Sequence, residues 1–435
     1  MRFAAYSTVL SFVLTSYRAS LARSNHSLTI LAHKAYIFGG EIGDGKLADT
    51  SVHVVSLLPA AEAEQKGEQQ YAMVPALPDG ETGGEASGVR KDTSDGVPAP
   101  RSRHAACGIN ICVAIFGGSD ESGNFIDEKG RVWLFNTAKT CWEALDPPET
   151  SGESLSVQGN ASGPSYPEAR CEAKLFKHKN DLILYGGYSA SKQPLKDTWH
   201  FSYSSRSWTR LPDAPSATTN AALTADTLFL LTSSSENNGL SGYIHSLHLA
   251  KTAAETRSAH WQSQSFPTNP LTPAPKPRIH GGLLPVSTGH GRNYLLHFLG
   301  EREQPSTSSI PAEREQVQYP DLWTLQLPSA PGSSTLASAL NPAAIKDAIR
   351  SYLPKSDSGT HGWAEVDVVP PSLENVGNGE GGKVHPGPRA FFGCDVLGSE
   401  TKNVLGVGER AVVVLWGGIN AKGEREGDGW MVTVE

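Results

Sequence analysis

Short apolar runs that end in a double glycine recur along the chain. An apolar run of four to eight residues that stops at glycine is typical of a buried β-strand. Recurrence of one such pattern predicts a repeated unit rather than a series of unrelated domains. The four copies occupy residues 36–40, 114–118, 183–187 and 414–418.

The residues around each double glycine keep a regular spacing. Arg23, Arg101 and Arg170 each precede the first glycine of their pair by 16 residues. A strand-like segment with an aromatic residue follows each pair, as at Trp133 and Trp199. We therefore predict four strands per unit. Strand a starts after the arginine, strand b ends in Gly-Gly, strand c carries the aromatic residue, and strand d has a Trp-x-x-Leu pattern.

Double glycines with spaced tryptophans resemble the kelch family of the galactose oxidase/kelch class, and the resemblance covers most of residues 23–435. It implies an all-β fold, namely a six-bladed β-propeller of four-stranded blades with long loop insertions. The fourth blade is degenerate, with Ser216 near the place of the arginine. One short helix is expected after Asn341. Insertions are expected near residues 58–98, 147–166, 301–318 and 328–388.

The first 22 residues admit two interpretations. A basic Arg2, a moderately apolar stretch and a small-x-small ending at Ala22 are typical of a secretory signal peptide. The sixth blade, however, lacks a fourth strand, and an N-terminal strand within residues 3–14 would supply it. The location is accordingly either cytoplasmic or secreted.

Composition narrows the function classes. With 37 Lys and Arg against 45 Asp and Glu, the chain has a net charge of −8, which argues against nucleic acid as a partner. No apolar run reaches the roughly 18 residues of a membrane span. Five cysteines do not make a disulfide scaffold. The 44 glycines and 29 prolines suit many short strands and turns.

The recurring arginines are the first candidate site. Strand a is innermost in a propeller, so guanidiniums at its start are predicted near one mouth of the central channel. Several arginines on a concave rim attract a carboxylate, sulfate or phosphate. The alternative is that each arginine ties the repeats together through carbonyls or acids. The candidate residues are Arg23, Arg101, Arg170, Arg278 and Arg389.

A resemblance to nitrile-specifier-type kelch proteins raises the question of iron. Those proteins are associated with an Fe²⁺ site of Glu-x-x-x-Asp-x-x-x-His. Here Asp49 and His53 match the last two positions, but Gly45 stands where the glutamate belongs. Because the motif is incomplete, we expect no resident cofactor, and Asp49 and His53 are only weak metal candidates.

Two functions follow. The first is a binding protein that holds a protein partner, or a small anionic or polar ligand, through its loop faces. The alternative is a small-molecule enzyme, a lyase or isomerase, that uses the arginine rim. We find no catalytic motif, which favours the first hypothesis; the fold by itself does not decide between them.

Overall fold

The structure is a computed structural model. It describes residues 3–10, 21–79, 96–148, 165–233, 242–265, 274–287, 293–302, 318–327, 362–369, 385–398 and 410–434.

Short strands dominate the described part of the chain, with two short helices, α1 (Ala60–Gln65) and α2 (Ala253–Arg257). The strands of the first half are β1 (Phe3–Leu10), β2 (Ser27–Leu31), β3 (Lys34–Phe38), β4 (Glu41–Gly43), β5 (Lys46–Leu47), β6 (Val52–Ser56), β7 (Tyr71–Val74), β8 (Ala105–Ile109), β9 (Cys112–Phe116), β10 (Val132–Asn136), β11 (Cys141–Leu145), β12 (Arg170–Cys171), β13 (Lys174–His178), β14 (Asp181–Tyr185), β15 (Tyr188–Ser189), β16 (Thr198–Ser202) and β17 (Ser207–Leu211). Those of the second half are β18 (Ala221–Thr224), β19 (Thr227–Ser233), β20 (Gly242–His248), β21 (Gln262–Ser265), β22 (Arg278–Ile279), β23 (Gly282–Ser287), β24 (Asn293–Phe298), β25 (Glu301–Arg302), β26 (Leu322–Gln326), β27 (Trp363–Val369), β28 (Arg389–Ala390), β29 (Gly393–Val396), β30 (Ala411–Trp416), β31 (Ile419–Asn420) and β32 (Gly429–Val434).

The predicted six-bladed β-propeller is confirmed. Six antiparallel sheets of four strands follow one another in the chain, and their first strands contact each other around the centre. In strand order a to d, the blades are β2-β3-β6-β7, β8-β9-β10-β11, β13-β14-β16-β17, β18-β19-β20-β21, β23-β24-β26-β27 and β29-β30-β32-β1.

The core is divided among the junctions between blades. Six buried hydrophobic clusters occur, and each joins two successive blades. On β3, Tyr36 and Phe38 pack towards the second blade, whereas Ala35 and Ile37 pack towards the sixth. Because successive side chains of a strand point to opposite faces, one apolar run supplies two junctions. This explains why strand b reads as continuously apolar rather than alternating.

The N-terminal segment completes the sixth blade. Strand β1 pairs antiparallel with β32, in a register that places Ala5 opposite Val434. Its other edge pairs in parallel with β27 of the fifth blade, and this places Phe3 opposite Val366. The strand that the chain begins with therefore joins the last two blades into one eight-stranded sheet.

Blade four keeps its strands despite its degenerate sequence. Two predicted insertions are partly blade structure, because residues 328–388 include β27, the fourth strand of blade five. Residues 58–98 include α1 and β7, the fourth strand of blade one, which carries Tyr71 instead of the expected tryptophan. Most of the other predicted insertions, and the helix expected after Asn341, lie outside the described residues.

We expect removal of residues 1–10 to destabilise the ring and to promote association. The deletion uncovers the edge of β32, and an unpaired edge is a template for pairing with another chain. Thermal unfolding and size-exclusion chromatography measure the two effects, with removal of residues 1–2 as the control. Unchanged melting temperature and size would show that β1 contributes nothing to closure.

Candidate functional site

Each recurring arginine is a buried clamp within its own blade. All five are at most 3% exposed. Each donates from Nη1 to the carbonyl at the end of strand b, over 3.0–3.2 Å. Four of them also form paired hydrogen bonds of 2.7–3.4 Å with a carboxylate that precedes strand c. These pairs are Arg101–Glu128, Arg170–Asp197, Arg278–Asp321 and Arg389–Asp428.

The strand c tryptophans belong to the same clamp. Trp133, Trp199, Trp323 and Trp430 each donate Nε1–H to the carboxylate of their blade, over 2.6–3.0 Å. A buried charge requires such satisfaction of its hydrogen-bonding groups, because desolvation is otherwise costly.

The backbone of the same arginines joins neighbouring blades. The second glycine of one blade donates its N–H to the carbonyl of the next arginine, as from Gly40 to Arg101 at 2.9 Å and from Gly118 to Arg170 at 3.0 Å. A Cβ on Gly117 would lie 2.5 Å from the Arg170 carbonyl oxygen, so only glycine permits this approach. The glycine pairs thus allow the backbones of neighbouring blades to approach closely enough for this hydrogen bond.

These contacts give the five guanidiniums a structural role. Neither of the two large cavities of the propeller is lined by them. The alternative weighed from the sequence, that the arginines tie the repeats together, is what the contacts support. The anion-binding hypothesis gains no support from them.

The candidate metal residues Asp49 and His53 also have structural partners. His53 accepts from Arg23 Nη2 through Nε2 at 3.0 Å and contacts the Tyr71 hydroxyl through Nδ1 at 2.8 Å. Burial, reinforced by the charge of Arg23, lowers the pKa of His53 to about 4. Asp49 accepts from the backbone N–H of Ser51. Within the described ranges, no group of three His, Cys, Asp or Glu side chains is placed to hold a metal ion.

The residue two positions after each clamp arginine lies at the channel mouth in a left-handed conformation. The φ angles of these five residues are 54–60°, a region that non-glycine residues rarely adopt and that costs about 1–3 kcal/mol. Backbone hydrogen bonds of 2.8–3.0 Å link them across blades. Their side chains differ from blade to blade: Asn25, Arg103, Glu172, His280 and Phe391.

Four charged residues make a connected network there, which we call the rim network: Arg103, Glu172, His280 and Glu301. Glu172 lies 3.7 Å from Arg103 Nη1 and 3.1 Å from His280 Nε2. The other nitrogen of His280, Nδ1, lies 2.8 Å from Glu301. The Phe391 ring stacks on the imidazole, with 4.1 Å between the ring centroids.

Carboxylates on both sides of His280 favour its protonated form. Burial by itself lowers the pKa of an imidazole, but the hydrogen bonds and charges of Glu172 and Glu301 outweigh it and raise the pKa of His280 above its ordinary value. Burial likewise acts to raise the pKa of Glu172, and the contact with His280 reverses this and lowers it. In its protonated form, the ring donates one N–H to each carboxylate.

Arg103 is the accessible member of the rim network. Its side chain is 44% exposed, and its carboxylate neighbours, Glu41 and Glu172, lie at 3.9 and 3.7 Å. These distances are too long for hydrogen bonds. The guanidinium, Glu172 and His280 border a cavity of about 620 Å³ on this face.

The comparisons with known proteins agree with the repeat. A family model described as "Kelch motif" matches residues 169–215, which cover the clamp arginine and the four strands of blade three. The chain is a six-bladed β-propeller that carries a kelch motif in its third blade. Among solved structures, the one described as "Structure of YjhT" has a TM-score of 0.52 and 12% identity, and covers 95% of this chain and 97% of that one. This similarity shows the fold alone.

One curated relative of this kelch propeller is the dynein alpha chain of the flagellar outer arm from Chlamydomonas reinhardtii. The two are 24% identical over 200 residues. The match spans 45% of the propeller but only 4% of the dynein chain. In the described part of the propeller, no helix is long and apolar enough to cross a membrane.

Sequence reasoning located the clamp arginines and missed the rim network. The sequence does contain a signal for the rim network. The position two residues after each arginine is Asn, Arg, Glu, His or Phe, whereas the residues around it repeat. A variable position in a constant repeat indicates a presented side chain rather than a packed one.

Replacing Asp197 by alanine should cost about 3–5 kcal/mol of unfolding free energy, because Arg170 would remain buried without its counterion. Asp213→Ala removes the partner of the half-exposed Arg210, and should cost no more than about 1 kcal/mol. Urea unfolding of both variants checks this. Equal losses would argue against the buried clamp.

The rim network should make stability depend on pH. A raised pKa in the folded state means that the stabilisation from His280 is fully present below its unfolded pKa of about 6.5, and is lost as pH rises through the folded value. The difference in melting temperature between the parent protein and His280→Gln should therefore shrink as pH rises above neutrality. His248→Gln, at an exposed position, should give a flat difference. A difference for His280→Gln that grows with pH would contradict the assignment.

Proposed function

We propose that this kelch propeller is a binding protein, and that the rim network is where it holds a protein partner. The observation that carries the proposal is the set of five left-handed residues, which presents five chemically different side chains at one mouth on a rigid ring. Strained backbone that the surroundings hold in place is a feature of functional sites.

The charges of the rim network favour a partner that presents an acidic side chain to Arg103. Glu172 and Glu301 contact His280, whereas Arg103 is accessible, and no carboxylate of the described residues lies within hydrogen-bond distance of it. A guanidinium in that state can form a bidentate pair with an incoming carboxylate, which adds geometric specificity to the attraction.

A small-molecule enzyme is the second candidate, and one observation favours it. A protonated His280 between two carboxylates is an acid–base set beside a cavity. This candidate would replace the first if a substrate were found that His280→Gln no longer converts, while the same variant still binds the protein partner.

The test compares two arginines with similar exposure on opposite faces. Arg103 is 44% exposed at the rim, and Arg206 is 49% exposed in the turn between β16 and β17, where it pairs with Glu143. A partner captured from source cells by the full-length chain is identified and purified, and its affinity is measured by calorimetry for the parent, Arg103→Ala and Arg206→Ala.

Loss of a charge-assisted pair should weaken binding by about tenfold or more in Arg103→Ala, and Arg206→Ala should bind like the parent. Equal affinity of all three proteins, or a loss confined to Arg206→Ala, would show that the partner binds elsewhere.

A further inference from the structure

The central channel contains a second cavity, separate from the rim. It has a volume of about 630 Å³ and is lined by the first strands of all six blades. The two cavities share no lining residue, because the channel begins one residue beyond the left-handed positions. Glu172 and His280, which contact each other across the mouth, therefore lie between them.

Five blades begin with a clamp arginine. Among them, only blade three has a long side chain, Lys174, at the first position of strand a. It lies four residues after Arg170. The residues four positions after the other clamp arginines are small: Ser27, Ala105, Gly282 and Gly393. Blade three therefore differs from the other four in placing a cation at this position of the channel lining.

Lys174 is one of the residues that line the channel cavity. Its charge acts on Glu172 at the rim and also on Cys394, which belongs to blade six, opposite blade three in a six-membered ring. Burial raises the pKa of the Cys394 thiol to about 12, and Lys174 opposes that rise.

The Lys174 ammonium forms no ion pair with a described residue. Its backbone pairs with Tyr185 in the blade, but its half-buried side chain makes no hydrogen bond within the described structure. The carboxylate across the channel, Asp395, accepts instead from the backbone N–H groups of Ile30 and Val396, both at 2.8 Å. Lys177, on the same strand, adds a second cation to the lining.

We propose that the channel is a binding site for a small oxyanion, a phosphate or carboxylate group, which pairs with Lys174. Burial strengthens the attraction, because a charge in a partly desolvated channel is screened less than one at the surface. The inner edge of strand a has no ladder partner, so alternate backbone N–H groups face the channel and can donate to the same anion. The site is independent of the partner-binding role proposed for the rim.

The test uses inorganic phosphate as the probe, measured by calorimetry against sodium chloride at matched ionic strength. The parent should bind phosphate, and Lys174→Met should weaken binding by about tenfold or more, since a charge-assisted hydrogen bond is lost. Lys174→Arg, which keeps the charge, should retain most of the affinity. Lys179→Met is the matched control, because Lys179 lies in the exposed turn after the same strand and already contacts Asp226.

Circular dichroism confirms that each variant is folded, and Lys174→Gln serves if Lys174→Met is not. Arg206→Ala, on the opposite face and outside both cavities, should bind phosphate like the parent. Phosphate that binds no better than chloride would overturn the proposal. So would equal losses in the Lys174 and Lys179 variants, or unchanged binding in Lys174→Met.

Discussion

The buried arginine at the start of each blade is the interaction on which the ring depends. Its guanidinium fixes the carbonyl at the end of strand b and, in four blades, a carboxylate before strand c. Its own carbonyl accepts an N–H from the preceding blade. One residue thus sets both the loop geometry within a blade and the distance to its neighbour. Blade four has Ser216 in place of the arginine, and there side chains replace these contacts: the Tyr185 hydroxyl donates to the Ser216 carbonyl, and the Asn220 amide donates to that of Arg278.

The repeated arginine clamp fixes the backbone at the channel mouth, and this allows the side chains there to differ between blades. Because the backbone is held by the arginine and the glycine pair, the residue two positions later is left-handed whether it is Asn25, Arg103 or Phe391. The side chain there differs from blade to blade, although the backbone conformation is the same. A kelch ring therefore separates the residues that build it from the residues that it presents, and the rim network is a set of the second kind.

The repeat predicted the blades, the clamp positions and the degenerate fourth blade, because glycine and arginine are demanded by geometry at fixed spacing. It did not predict β7, since Tyr71 replaces the tryptophan that marks strand d. The rim network escaped for a different reason: the contact between Glu172 and His280 joins residues 108 positions apart, and no local pattern encodes it. The sequence left open whether the arginines bind a ligand or tie the repeats together. Their burial supports the second role, and it depends on the closed ring rather than on any one repeat.

Blade three contributes charged residues to both cavities, among them Glu172 at the rim and Lys174 in the channel. Glu172 and Lys174 are two residues apart, and Lys174 acts electrostatically on Glu172, yet no ion pair joins them in the described structure. Glu172 instead contacts Arg103 and His280 on the rim side of the channel. The Lys174 side chain lines the channel and forms no ion pair of its own among the described residues. Because Glu172 and Lys174 border different cavities, a partner at the rim and an anion in the channel can be tested independently of each other.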